Sequence, residues 1–156
     1  MTAFFLIGCG IYKFKDVNLD SNLKTVKINF FDNRARYINP QLSPKLTDKI
    51  QLKIASATKL TRTNNDDANL VIGGYISDYS QSTSGISATQ ANLNRLTVGV
   101  HVTSTNNITG KTDEFDVSRN FDFSANLSLQ QAEASLLDEI IRSLTDEIFN
   151  HIFSNW

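Results

Sequence analysis

Leu96-Thr97-Val98-Gly99-Val100-His101-Val102-Thr103 is the stretch that decides the fold. Leu96, Val98, Val100 and Val102 alternate with Thr97, Gly99, His101 and Thr103. A period of two sends successive side chains to opposite sides of a strand, so the aliphatic residues share one side. One apolar side and one polar side is the pattern of an antiparallel sheet that is solvated on a single face. Such a strand needs partners along its edges and a second layer over its apolar side.

The flanking sequence supplies both. Asn106-Asn107-Ile108-Thr109-Gly110 reads as a hairpin turn, and the strand after it sets Phe115, Val117, Phe121 and Phe123 on one face. On the other side, Gln81 to Asn92 is rich in Ser, Thr, Gly and Ala and reads as a loop. Leu70 to Tyr79 before it is a strand interrupted by Gly73-Gly74. Paired glycines mark a bulge or the close approach of another backbone. Further upstream, Thr25 to Phe31 alternates with Val26, Ile28 and Phe30 on one face, which predicts the first strand. Asp32 to Pro40 is a loop ended by Asn-Pro, and Asn64-Asn65-Asp66-Asp67 is a turn.

Two helices complete the layer. Ser43-Pro44 offers an N-cap hydroxyl followed by proline at the first helical position, where a missing N–H costs nothing. Leu46, Ile50, Ile54 and Ala57 then recur at helical spacing, predicting a helix from Pro44 to Lys59. Ser128-Leu129-Gln130-Gln131 is a capping box, in which a hydroxyl and an amide each satisfy a free N–H at the helix start. Leu137, Ile140, Ile141, Leu144, Ile148 and Ile152 follow as a wide apolar stripe, with Glu133, Glu139, Arg142, Asp146 and Glu147 over much of the remainder. The order β-α-β-β-β-α predicts an α+β fold: two helices packed on one face of a four-stranded, mostly antiparallel sheet. Its other face is polar where Thr97, His101 and Thr103 point.

Composition narrows the function classes. At 156 residues with 40% hydrophobic residues and 10 Phe, the chain is one domain with an ample core. A single cysteine excludes an internal disulfide framework. The 15 basic and 16 acidic residues are interspersed and leave a net charge of -1, so no basic footprint for nucleic acid is present. Catalysis has little support. His101 and His151 lie on different elements and neither has a second His or Cys at metal-ligand spacing. No P-loop, nucleophile elbow or dinucleotide turn occurs, and no cofactor is implied. One loop does gather basic and aromatic residues. Arg34, Arg36 and Tyr37 are a candidate contact for phosphate or for a partner, since arginine binds phosphate bidentately.

The N-terminus adds an address. Leu6-Ile7-Gly8-Cys9 closes an apolar run, and Leu, a spacer, a small residue and Cys is the pattern of a bacterial lipoprotein signal. In that chemistry the peptide is cut before the cysteine and the thiol carries a diacylglycerol. Residues 1–8 hold no Lys or Arg and fall short of the roughly 7–15 apolar residues of a full h-region. They are expected to be the end of a truncated leader. The expected organisation is a truncated signal at 1–8, a lipidated Cys9 and tether over 9–23, and a single α+β domain over 24–156.

Several signatures fall in order along the chain. They are Cys9-Gly10-Ile11-Tyr12, Phe30-Phe31-Asp32-Asn33-Arg34-Ala35, Asn39-Pro40-Gln41-Leu42-Ser43, Leu93-Asn94-Arg95-Leu96-Thr97-Val98 and Phe121-Asp122-Phe123-Ser124, then Asp146-Glu147-Ile148-Phe149-Asn150 and Asn155-Trp156. The ordered set resembles the LPS-assembly lipoprotein family (LptE) in the form found in Bacteroidetes. The resemblance implies a non-enzymatic lipoprotein at the periplasmic face of the outer membrane. It implies a plug in the lumen of a large β-barrel partner (LptD), the two together delivering lipopolysaccharide to the outer leaflet. The alternative is a periplasm-facing lipoprotein that binds small amphiphiles or regulates a cell-wall enzyme. An enclosed apolar pocket in place of a filled core would favour that alternative.

Overall fold

The fold is that of a computed structural model, which describes residues 21–84 and 92–154. Residues 1–20, on which the expected leader, Cys9 and most of the expected tether fall, lie outside the described residues, as do residues 85–91 and Asn155-Trp156. Eight elements follow in chain order: β1 (Thr25–Ile28), β2 (Asp32–Asn33), α1 (Leu42–Ala57), β3 (Thr61–Arg62), β4 (Leu70–Ser84), β5 (Leu93–Asn106), β6 (Lys111–Ser124) and α2 (Leu129–Ser154).

The α+β architecture with two helices is as expected, but the sheet is larger and more mixed. It has six strands in the order β3-β1-β4-β5-β6, with β2 also pairing with β4. Only β4–β5 and β5–β6 are antiparallel; β1 runs parallel to both β3 and β4, and β2 runs parallel to β4. The two extra strands are each two residues long and owe their existence to a neighbour, so periodicity could not reveal them. The segment read as a loop from Asp32 therefore begins as a strand, with Asp32 opposite Tyr75 and Asn33 opposite Ile76. Likewise Gln81 to Ser84, read as loop, continues β4 opposite Leu93 to Leu96.

The parallel β1–α1–β4 crossover sets the direction of the helices. β6 is parallel to β4 through two antiparallel steps, hence parallel to β1, and each strand is followed by a helix that returns over the sheet. Both helices accordingly run the same way, and their contacts stay in step. Lys49 sits beside Asp138 and Arg142, and Lys53 pairs with Asp146 one turn further on, at 3.2 Å. Their apolar stripes and the even-numbered side of β5 form one core cluster. Leu46, Ile54, Ile72, Ile76, Leu96, Ile140, Leu144 and Ile148 in it are fully buried, each contributing about 1.5–3 kcal/mol.

Three local readings change. Phe30, expected on the core face of β1, is 54% exposed, while Phe31 is fully buried. The cause is a hydrogen bond. Asn29 N makes the last bond of the β1 segment to β4, to Ile72 O at 2.8 Å; Phe31 N then donates to Thr47 Oγ1 on α1 at 3.1 Å, before β2 rejoins β4. The chain leaves the sheet between them, and the alternation inverts. Second, α1 starts two residues earlier than Ser43-Pro44 implied. Gln41 occupies the N-cap without a side-chain bond, Asn39 Oδ1 accepts from Gln41 N at 3.0 Å, and Ser43 is buried inside the first turn. Pro44 still falls among the orphan N–H positions, so its ring is tolerated. At the other end Thr58 is extended, ending α1 at Ala57. Third, the bulge expected at Gly73-Gly74 lies at Ser77, between Ile76 and Asp78. The glycines instead meet the alternative expectation of close approach: a Cβ on Gly74 would sit 2.1 Å from the backbone oxygen of His101.

The strongest sequence patterns hold. Ser128 N donates to Gln131 Oε1 at 3.0 Å and Gln131 N to Ser128 Oγ at 3.2 Å, the reciprocal capping box. All six stripe residues of α2 are buried. The β5–β6 hairpin turns through Gly110 at φ 70°, with Asn106 Oδ1 accepting from Ile108 N at 2.9 Å and Thr109 N at 3.2 Å.

Candidate functional site

The side of the sheet away from the helices is a polar surface. β5 presents Arg95, Thr97, Gly99, His101, Thr103 and Thr105 there, and the register sets Asp122, Asn120, Ser118, Asp116, Glu114 and Thr112 of β6 directly opposite. Most of the pairs bond across the strands. Arg95 grips Asp122 bidentately, Nε to Oδ1 at 2.7 Å and Nη2 to Oδ2 at 3.0 Å. Thr97 Oγ1 donates to Asn120 Oδ1 at 2.8 Å, His101 Nδ1 lies 2.9 Å from Asp116 Oδ1, and the hydroxyls of Thr105 and Thr112 are 3.1 Å apart. The hydrogen bond from Arg95 holds the Asp122 carboxyl below its usual range, and its carboxylate partner raises the Arg95 guanidinium. Four of the six opposed pairs on this face thus bond across the strands.

At the β4 edge of this face the loop after β2 adds a cation. Arg34 N donates to Ile76 O at 2.9 Å, and Ala35 N donates to Asn33 Oδ1 at 3.0 Å while its methyl is buried. Pinned on both sides, Arg34 lays its guanidinium 4.2 Å from the centre of the Tyr75 ring. Tyr75 in turn lies 5.0 Å from the His101 ring. Arg34, Tyr75, His101 and Asp116 thus form one continuous row across β4, β5 and β6. Beside it an open cleft of about 550 Å³ is floored by Gly73 and Gly74 and walled by Asn29, the exposed Phe30 and Thr103.

The structure divides the predicted Arg34, Arg36 and Tyr37 cluster. Arg34 belongs to the outer sheet face. Tyr37 turns the other way and stacks on Tyr79 at 5.5 Å between ring centres. Tyr79 lies on the helix side because the extra residue at Ser77 shifts the alternation. Its hydroxyl donates to Glu133 Oε1 of α2 at 2.7 Å. Arg36 is exposed between them. Sequence reasoning missed Tyr75 and the Arg95–Asp122 pair; the odd-position alternation of β5 was the signal that could have found the latter.

The two histidines are separated by the hairpin. His101 faces outward, whereas His151 of α2 stacks on Phe115 at 3.6 Å with Nε2 3.4 Å from Asp113 Oδ2, on the helix side. Among the described residues no group of three or more His, Cys, Asp or Glu is placed to hold a metal ion. No helix among them is long and apolar enough to cross a membrane.

Residues 23–152 match the family model of LptE, described as lipopolysaccharide-assembly. The chain belongs to the LptE family. Curated proteins give no sequence match. Among solved structures, this LptE-family chain is similar to a minor lipoprotein from Acinetobacter baumannii, with a TM-score of 0.55 and 14% identity over 85% of this chain and 94% of that one. It is similar also to a hypothetical protein from Chlamydia trachomatis, with a TM-score of 0.53 and 11% identity over 84% and 98%. PelC from Paraburkholderia phytofirmans, crystallised as a dodecamer, matches with a TM-score of 0.50 and 12% identity over 81% and 85%. At such identities the likeness is one of fold.

Proposed function

We propose that this LptE-family chain is an outer-membrane lipoprotein, anchored through Cys9 at the periplasmic face. There it plugs the lumen of the lipopolysaccharide-transport barrel (LptD) and assists its assembly. In that role it helps deliver lipopolysaccharide to the outer leaflet, without catalysis. Family membership supports the process. The observation that carries the plug role is the outer sheet face from Arg95 to Thr105, where four of the six opposed pairs bond across β5 and β6. The lumen of a membrane β-barrel is lined by polar residues. A wall of largely prearranged polar pairs can sit against it directly or through water, with Glu114 left to bond to water or to the barrel wall.

The filled core speaks against the small-amphiphile reading, since fully buried side chains occupy its centre; the cleft of about 440 Å³ between the end of α2 and the β5–β6 hairpin is lined by Ile152 together with polar groups such as Ser104, Lys111 and Asp113. Membership in a lipopolysaccharide-assembly family supports a non-enzymatic role. Affinity purification of the chain from its native membrane in a gentle detergent tests the proposal. The expected result is recovery of a large β-barrel protein in equal amount. Purification of the chain without a barrel overturns it.

A further inference from the structure

One end of the sheet gathers positive charge around an exposed apolar tip. The register aligns Thr61 and Arg62 of β3, Thr25 and Val26 of β1, Leu70 of β4, Asn106 of β5 and Lys111 of β6 in a single row across the sheet. Lys24 and Lys59 lie just ahead of this row on their strands, and the hairpin tip projects beyond it. Asn69 ties the rim together: its Oδ1 accepts from Lys24 N at 2.9 Å and Thr25 N at 3.1 Å, and its backbone oxygen accepts from Asn107 N at 2.8 Å. Asn107 Nδ2 adds a bond to Ala68 O at 2.7 Å. The rim is therefore held at a fixed shape, and within it Ile108 stands 45% exposed.

The charges on this rim do not cancel. Lys27 is paired with Asp66, whose carboxyl the lysine's hydrogen bond holds low, and Asp113 faces His151. That histidine offsets Asp113 only when protonated, so among the described residues Lys24, Lys59, Arg62 and Lys111, all exposed, stand against Asp67 and Asp113. Among the described residues, Arg62 bonds to the neutral amide of Gln51, at 2.8 Å. Both helices end on this side, and each C-terminus contributes roughly half a negative charge, which the full cations outweigh. The chain also enters the domain here, since Leu23 is buried and Lys24 is already bonded into the rim.

We infer that this rim is a membrane-facing surface that rests on the anionic headgroups of a phospholipid bilayer, with Ile108 entering the headgroup layer. The inference takes its direction from the reading of Cys9 as the anchor, because a tether from the membrane arrives at this rim. Its chemistry stands on the rim alone. Exposed cations are drawn to anionic headgroups within a screening length, and a single apolar side chain at a rigid tip adds burial.

The test uses the full chain as Cys9→Ser, so that no acyl chain contributes. Its partition onto phosphatidylglycerol-rich vesicles is compared with that onto phosphatidylcholine vesicles at low and high salt. The expected result is binding to the anionic vesicles only, lost at high salt. The combined Lys24→Gln, Lys59→Gln, Arg62→Gln and Lys111→Gln variant should weaken it by roughly tenfold or more. Ile108→Ser, on an intact rim, should weaken it by a smaller factor. Absence of binding at low salt overturns the inference, as does binding that the quadruple variant retains with unchanged circular dichroism. Binding to lipopolysaccharide aggregates alone overturns it too, because the surface would then read a different ligand. Fatty-acid labelling of the natural chain is scored separately. Labelling retained with vesicle binding absent removes the rim and spares the anchor, and the converse removes the anchor and spares the rim.

Discussion

The Tyr79 hydroxyl on β4 donates to the Glu133 carboxylate on α2 at 2.7 Å, and this bond fastens the long helix to the sheet close to its capped end. Asn39 Nδ2 donates to the same hydroxyl at 3.4 Å, and the Tyr37 ring covers the Tyr79 ring. One phenol therefore holds the loop before α1, the sheet and α2 together.

Burial, and then the bond to Glu133, push the Tyr79 phenol well above the ordinary tyrosine range. A raised folded-state value contributes stability that is complete below the unfolded value, about pH 10, and is lost as pH rises through the folded one. Tyr79→Phe is expected to cost about 1–2 kcal/mol at neutral pH. Chemical denaturation of both proteins from pH 7 upward checks it: the stability gap should narrow above about pH 10. A gap that stays constant contradicts the assignment.

Gly73 and Gly74 differ in what they permit. A Cβ at Gly74 meets the His101 backbone oxygen at 2.1 Å and the Phe31 ring at 2.9 Å, so β4 and β5 would have to part. A Cβ at Gly73 meets Asn29 Cβ at 3.3 Å and its amide Nδ2 at 3.4 Å, contacts that a shift of a few tenths of an ångström and a turn of the amide relieve without parting the strands. Gly74→Ala is expected to destabilise by about 3 kcal/mol or more, and Gly73→Ala by about 1 kcal/mol or less. Thermal melts of the two variants side by side check the order.

The two serines at the helix starts make opposite predictions. Ser128 completes a capping box on α2, and Ser128→Ala should cost about 0.5–2 kcal/mol. Ser43 looked like a cap in sequence but is buried with no partner for its hydroxyl. Ser43→Ala should be neutral or stabilising, because it removes an unsatisfied buried group. Denaturant midpoints that fall equally for both would contradict the second assignment.

These serines also show where sequence was sufficient. The capping box is a local motif whose partners lie three residues apart, and the β5 alternation is local too, so both were legible. The inversion at Phe30 and Phe31 depends on Thr47, sixteen positions away, and the parallel partners β2 and β3 exist only because β4 and β1 lie beside them. The bulge at Ser77 carries no Gly or Pro to announce it, yet it turns Tyr79 inward and so places Tyr37 on the face opposite Arg34. The composition of that loop marked a basic-aromatic cluster; the long-range register decided which member faces which way.

Arg34 is the member left on the polar face, and its contact with Tyr75 is exposed, worth about 0.5–1 kcal/mol. Arg34→Ala should therefore alter the melting temperature little. It should still reduce recovery of the barrel partner in affinity purification, whereas Arg36→Ala should reduce it less. Equal recovery from both variants and from the natural chain would remove Arg34 from the interface.

Cys9 makes the last prediction, and it separates place from function. A single acyl chain holds a protein to a bilayer only marginally, with an association constant of about 10⁴ per molar, whereas two or more chains anchor it stably. Lipoprotein processing at Leu6-Ile7-Gly8-Cys9 would supply the stable form. Cys9→Ala should abolish fatty-acid labelling and release the chain from the membrane or strand it with its leader attached. The sheet, the helices and the polar face lie within residues 23–154 and are untouched by the change. The variant should thus keep its circular dichroism and its capacity to bind the barrel when both are mixed in detergent. Labelling that persists in Cys9→Ala would place the anchor elsewhere; labelling lost together with barrel binding in detergent would mean that the acylated N-terminus is itself part of the plug.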